Sequence, residues 1–128
     1  MENDKRPAAA PFPEPIDWAT LDGLRQYQSE GEPDLVQELI GIYRSDSPPL
    51  LDAMRKAIAA GDADALRKAA HALKGSSANL GAQQVSAVSA ELEKLGRSGT
   101  VQGAEALFAR LESEFARALA ALASRGPA

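Results

Sequence analysis

Between residues 101 and 122 the apolar positions Val101, Ala104, Phe108, Leu111, Phe115, Ala118 and Leu122 recur at alternating steps of three and four. An α-helix advances by about 100° per residue, so this spacing keeps all of them on one narrow stripe. Such a stripe has to be covered by other helices, and it reads as the seam of a helical bundle. Aromatic residues make up only 5% of the chain and alanine is abundant, which suits closely packed helices better than sheets.

The segments before the seam supply its partners. A short first helix is expected from Trp18 to Gln28, ended by Gly31, with Pro33 in the first turn of the next helix. Leu35, Leu39 and Ile42 then recur at helical spacing, as do Leu50 or Leu51, Met54 and Ile58. Pro48 and Pro49 between these sets must kink one long helix or split it, and the kinked helix is the favoured reading. Gly61 followed by Asp62 is a stop and start signal. A third helix is expected from Asp62 to Asn79, closed by Gly81. A fourth should cover Ala82 to Leu95 with Val85, Val88, Leu92 and Leu95 buried, and Gly96 to Gly99 should form a loop. Short connections between amphipathic helices favour antiparallel neighbours. The expected fold is therefore all-α: an up-and-down antiparallel four-helix bundle with an additional short N-terminal helix, spanning residues 16–124. Pro7, Pro11, Pro13 and Pro15 mark residues 1–15 as an extended, disordered tail, and residues 125–128 read as a C-terminal tail.

Bulk properties narrow the function classes. A formal net charge of -4 argues against a protein that coats nucleic acid, which needs a clustered excess of cations. Cysteine is absent, so there is neither a disulfide nor a thiolate metal site. No apolar run approaches the roughly 20 residues of a membrane span, and the N-terminus lacks the hydrophobic core of a signal peptide. The chain reads as soluble and cytoplasmic.

The one histidine, His71, stands in the run AHALKGSSANLGA from Ala70 to Ala82. Imidazole changes charge near neutral pH and, when neutral, is a good nitrogen nucleophile. On the third helix Leu66, Ala70, Leu73, Ser77 and Leu80 share one direction and define the packed face, and His71 points about 140° away, toward solvent. Its neighbours on the exposed face are Arg67, Lys74, Gly75 and Ala78. Small residues let another surface come close, and the cations suit an anion. Glycine within a helix costs about 1 kcal/mol relative to alanine, so Gly75 implies either close backbone approach or tight helix packing.

The run AHALKGSSANLGA, followed by VSAVSAELEKLG, resembles the signature of the histidine-containing phosphotransfer (HPt) domain of two-component phosphorelays. The similarity extends from Ile16 and Asp17 through Ala60, Gly61 and Asp62 to Leu92 and Glu93. It implies a four-helix bundle with an extra short helix. It also implies that His71 is the phosphoacceptor between aspartates of receiver domains, that Lys74 contacts phosphoryl oxygens and that Gly75 leaves the ring accessible. Family members commonly place a glutamine or another polar side chain against the second ring nitrogen, and Glu93 stands at that position, at the edge of the buried stripe of the fourth helix, where it either reaches across to His71 or is a plain surface glutamate in a helix pair.

Phosphoryl transfer rests on positioning and charge stabilisation, with magnesium commonly bridging the phosphate. No carboxylate cluster near His71 is suited to that ion, so the expectation is no cofactor of the chain's own, magnesium being supplied by the receiver. The chain is then a carrier without autonomous catalysis. Its expected partners are response-regulator receiver domains or a hybrid sensor histidine kinase, docking around Arg67, Lys68, Ala78 and Gln83, and its expected state is a monomer. Two other classes stay open: a helical docking module in which His71 is never phosphorylated, and an enzyme with its own site, for which the usual nucleophile and base constellation is missing.

Overall fold

Aspartates start three of the helices. In the computed structural model, which describes residues 14–27, 31 and 34–125, the Asp17 carboxylate accepts from the backbone N–H of Ala19, Asp34 from those of Val36 and Gln37, and Asp62 from that of Ala65. Each satisfies donors that the first helical turn cannot pair internally. The described residues form α1 (Trp18–Leu24), continued by a 3-10 turn (Arg25–Tyr27), then α2 (Leu35–Ala60), α3 (Ala63–Asn79), α4 (Gln83–Arg97) and α5 (Ala104–Arg125), with no strand. Helices α2 to α5 close a ring in which α3 packs most extensively on α4 and α5 returns to α2, while α1 lies against α2. This is the expected antiparallel bundle.

The expected proline-rich tail lies outside the described residues except at Glu14 and Pro15, as do Gln28, Pro33 and residues 126–128. Helix α2 is one helix of 26 residues that passes through Pro48 and Pro49. Both prolines are exposed, as are Arg44 and Ser45, whose carbonyls lose their helical donors. No helix among the described residues is long and apolar enough to cross a membrane.

The seam holds from Ala104 through Phe108, Leu111, Phe115 and Ala118 to Leu122, all buried; Val101 precedes α5 and is half-buried. Leu66, Ala70, Leu73, Ser77 and Leu80 are buried as expected of α3, and Val85, Val88 and Leu92 as expected of α4. The expected stripe of α2 is displaced. Val36, Ile40, Tyr43, Ser47, Leu51, Met54 and Ala57 face the core, while Leu35 and Leu39 are half-buried and Ile42 is 55% exposed. Both sets have helical spacing, but the stripe of Leu35, Leu39 and Ile42 leads on to Asp46 and Pro49, whereas that of Val36, Ile40 and Tyr43 leads on to Leu51 and Met54. The buried register is the one that stays apolar along the helix apart from the small Ser47.

Gly96 is also corrected. It belongs to α4 instead of the following loop, and it is buried where α4 crosses α3: a Cβ there would lie 2.6 Å from the Ala63 carbonyl oxygen and 2.9 Å from the Arg67 nitrogen. At the other end of the same pair, Gly81 closes α3 with φ of 80°. The Asp17 N–H donates to the Gly81 carbonyl at 2.7 Å, and Gln83 Nε2 donates to Asp17 Oδ2 at 3.1 Å, which fastens the start of α1 to the corner between α3 and α4.

Candidate functional site

The close crossing at Gly96 brings α4 against the exposed flank of α3 and sets Glu93 beside His71. Glu93 projects from the middle of α4 with its side chain 4% exposed, whereas the His71 side chain is 65% exposed. A buried carboxylate has to be paired, because its hydration is lost. Glu93 is paired on both oxygens. Its Oε1 lies 2.7 Å from Lys74 Nζ, and its Oε2 lies 2.9 Å from His71 Nδ1 and 2.6 Å from Arg97 Nη2. Of the two sequence readings of Glu93, the reach to His71 is the observed one. The plain surface glutamate is excluded.

The Lys74 ammonium is the main cause that holds the Glu93 carboxyl well below the usual range, at about 2; burial opposes this shift and the His71 hydrogen bond adds to it. Glu93 is therefore ionised at any physiological pH and can only accept hydrogen bonds. It follows that Nδ1 carries the proton shared with Glu93. In the neutral ring the lone pair then sits on Nε2, the nitrogen that this pairing leaves available.

The remaining expected residues divide. Gly75 is exposed, and a Cβ there would meet nothing within 4 Å, so tight helix packing is not what this glycine serves; the open surface beside the ring agrees with close approach from outside. Ala78 is exposed one turn further on. Arg67 is turned back along α3, with Nε and Nη2 at 3.1 and 2.9 Å from Asp64 Oδ1, and Lys68 Nζ is 3.3 Å from Asp64 Oδ2. These two cations are brought to Asp64 and not to His71; their hydrogen bonds, that of Arg67 foremost, lower the Asp64 pKa. Gln83 is exposed and bonded to Asp17.

Arg97 is the residue that sequence reasoning missed. Its signal was present as an i,i+4 glutamate–arginine pair with Glu93, a spacing that brings side chains together on a helix. Ser86 adds a second tie between the helices, donating from Oγ to the Lys74 carbonyl at 3.0 Å. Among the described residues no group of three or more His, Cys, Asp or Glu is placed to hold a metal ion. The nearest carboxylate, Glu93, is already saturated by cations. The arrangement thus offers an accessible imidazole nitrogen nucleophile, a fixed proton on its other nitrogen and two cations within reach of an incoming anion.

A family profile described as Hpt domain matches residues 38–123. Histidine-containing phosphotransfer protein 4 of Arabidopsis thaliana is 30% identical over 93 residues, covering 71% of this chain and 73% of that protein. Two solved structures are similar along most of the fold. The crystal structure of histidine-containing phosphotransfer protein B (HptB) from Pseudomonas aeruginosa PAO1 aligns with a TM-score of 0.74 and 35% identity over 87% of this chain and 90% of that one. The histidine-containing phosphotransfer protein MtHPt2 from Medicago truncatula aligns with a TM-score of 0.69 and 26% identity over 80% of this chain and 71% of that one.

Proposed function

This chain belongs to the Hpt domain family, and from that premise we propose that it is a phosphoryl carrier of two-component phosphorelays, loaded and unloaded at Nε2 of His71. The observation that carries this reading is the 2.9 Å contact of His71 Nδ1 with a buried, ionised Glu93. That contact commits the Nδ1 proton and leaves Nε2 as the nucleophile.

In the forward step the Nε2 lone pair attacks the phosphorus of an aspartyl phosphate on a receiver domain. The phosphorus–oxygen bond breaks and the receiver keeps the electron pair as a carboxylate. Lys74 and Arg97 meet the charge that spreads over the phosphoryl oxygens. Exposed Gly75 and Ala78 let the receiver come close enough for an in-line approach. Unloading is the reverse step onto a second aspartate. Magnesium does not fit this chain's own residues, since both oxygens of Glu93 are taken by Lys74, Arg97 and the His71 ring, so the metal belongs to the receiver's acidic pocket. The chain is a carrier and catalyses nothing alone.

The receiver is proposed to dock on the exposed flank of α3 and the start of α4, touching Arg67, Lys68, Ala78 and Gln83, through a contact weak enough to release. The test is phosphotransfer from a panel of phosphorylated receiver domains with magnesium, with His71→Gln in parallel. Acid-labile, alkali-stable label that is absent from the variant is the expected result. No label from any active donor would overturn the reading in favour of a docking module that is not phosphorylated.

A further inference from the structure

We infer that Glu93 keeps the Nδ1 proton on the His71 ring after phosphorylation, and so makes phospho-His71 a competent donor over a wider pH range than a neutral side chain at the same place allows. The inference rests on the carrier reading above and concerns the chemistry of unloading.

When neutral His71 attacks through Nε2 and its Nδ1 proton stays in place, the product is a phosphoimidazolium: one positive charge on the ring, two negative charges on the phosphoryl group. Unloading then breaks the bond between phosphorus and Nε2, returns the electron pair to Nε2 and leaves a neutral imidazole that still has its Nδ1 proton. No proton has to enter or leave in either direction. If the phosphorylated ring loses the Nδ1 proton, the same bond cleavage has to expel an imidazolate anion, a much poorer leaving group. The rate of unloading therefore depends on how firmly Nδ1 holds its proton.

The charges around Nδ1 decide that. The groups that face Glu93 are His71 and Lys74 from α3 and Arg97 from α4 itself. Arg67, the preceding cation of α3, is turned to Asp64, and Glu91 of α4 pairs with Arg110 of α5. Among the described residues α2 and α5 bring no charged side chain into an ion pair with Glu93. With a dianionic phosphoryl group in place, Lys74, Arg97 and Glu93 together leave the surroundings of the ring with one net negative charge. With a neutral amide in place of Glu93 the same surroundings sum to zero. An amide oxygen accepts the same hydrogen bond from Nδ1 but adds no charge to hold the proton. An opposite charge this close favours the protonated form. Lys74 and Arg97 also pin both oxygens of Glu93, so the carboxylate stays in place while the ring gains and loses its load.

The test uses the full chain and Glu93→Gln, each loaded with phosphoramidate and then mixed with one receiver domain in excess with magnesium, from about pH 6 to pH 9. Because the receiver is common to both, its own titration cancels in the ratio of the two unloading rates. The ratio of wild type to variant should be flat at the acid end and then rise by about tenfold per pH unit above the point at which the variant ring loses its proton. Parallel profiles, with a ratio that does not change with pH, would reduce Glu93 to a residue that only orients the ring. Nitrogen NMR of the phosphorylated wild type gives a second reading that does not depend on the variant: Nδ1 should keep its proton above neutral pH, and its loss at or below neutrality would overturn the inference. Failure to load either protein while the receivers are active would bring down the carrier reading itself, and this inference with it. Normal loading with parallel profiles would remove the inference alone.

Discussion

Two glycines on adjacent helices should respond to the same substitution with opposite sign. Replacing glycine by alanine inside a helix stabilises it by about 0.8–1 kcal/mol when the new methyl meets nothing. That is the situation at Gly75, where the added Cβ has no atom within 4 Å. Gly75→Ala should therefore raise stability by about 1 kcal/mol, or roughly 4 °C in Tm. At Gly96 the added Cβ would sit 2.6 Å from the Ala63 oxygen, 2.9 Å from the Arg67 nitrogen and 3.1 Å from the Arg67 Cα. All three are backbone atoms of α3 and none can rotate aside. Restoring an ordinary contact of 3.4 Å to the oxygen requires the helices to part by the difference from 2.6 Å, about 0.8 Å. Overpacking of this kind costs about 1–3 kcal/mol, which exceeds the gain in helix propensity at all but its lower end. Gly96→Ala should thus be destabilised, by up to about 2 kcal/mol. The same parting would stretch the bond between His71 and Glu93 from 2.9 Å past hydrogen-bonding range. Urea titration of the variants measures both signs, and receiver phosphotransfer measures the consequence. Gly75→Ala should be more stable yet slower to exchange phosphoryl groups, because its methyl intrudes on the approach to the ring. A Gly96→Ala protein at least as stable as the parent, or a Gly75→Ala protein less stable, would refute the reasoning.

Other consequences can be measured as readily. The lowered pKa of Glu93 means that its pairing stabilises the fold above the ordinary glutamate range and that this contribution is lost as pH falls toward about 2. Melting curves of the wild type and Glu93→Gln should therefore converge between about pH 5 and pH 2; a difference that stays constant over that window would contradict the assignment. Lys74→Ala should move the Glu93 carboxyl back toward its ordinary pKa, seen by carbon NMR, and slow phosphotransfer by about tenfold or more; unchanged exchange rates would remove Lys74 from the site. Tyr43, held at about 12 by burial, bonds through its hydroxyl to Ser77 Oγ at 2.7 Å. Tyr43→Phe leaves that serine unpaired in the core and should cost about 1–2 kcal/mol in urea melts, most of it absent when Ser77→Ala is already present. Ser47 and Ser89 bury hydroxyls that have no hydrogen-bond partner among the described residues. Alanine at either should stabilise by about 1 kcal/mol, and a destabilised Ser47→Ala would show that its hydroxyl is satisfied after all.

The parts of this molecule that were legible in the sequence are those fixed by one helix at a time. His71 and its neighbours follow from the turn of α3 alone, and the buried residues from Leu66 to Leu80 are the complement of the same wheel. The seam of α5 was equally plain because only one apolar register runs along it. Helix α2 carries two registers about 100° apart, and the one read at its start is not the buried one; the two differ only when each is followed as far as Asp46 and Leu51. Gly96 was misread as a loop because glycine near a helix end usually marks a stop, and only the crossing with α3 reveals that it is there for lack of a side chain. Arg97 was missed for a related reason. Its role depends on Glu93 being buried, and that burial is produced by a neighbouring helix whose distance no local pattern encodes.

The fastening of α1 also gives the molecule an optical reporter. Trp18 is the only tryptophan in the chain, and it lines a shallow groove with Leu21, Val36, Ile40 and Leu122, one residue after the Asp17 that is tied to Gly81. Its emission therefore registers whether the first helix is seated on the bundle. Since Asp17 also receives Gln83 from the proposed receiver-facing side of α4, a receiver that competes for Gln83 would loosen that seat. Docking would then be visible as a red shift in indole fluorescence, with no label attached to either protein.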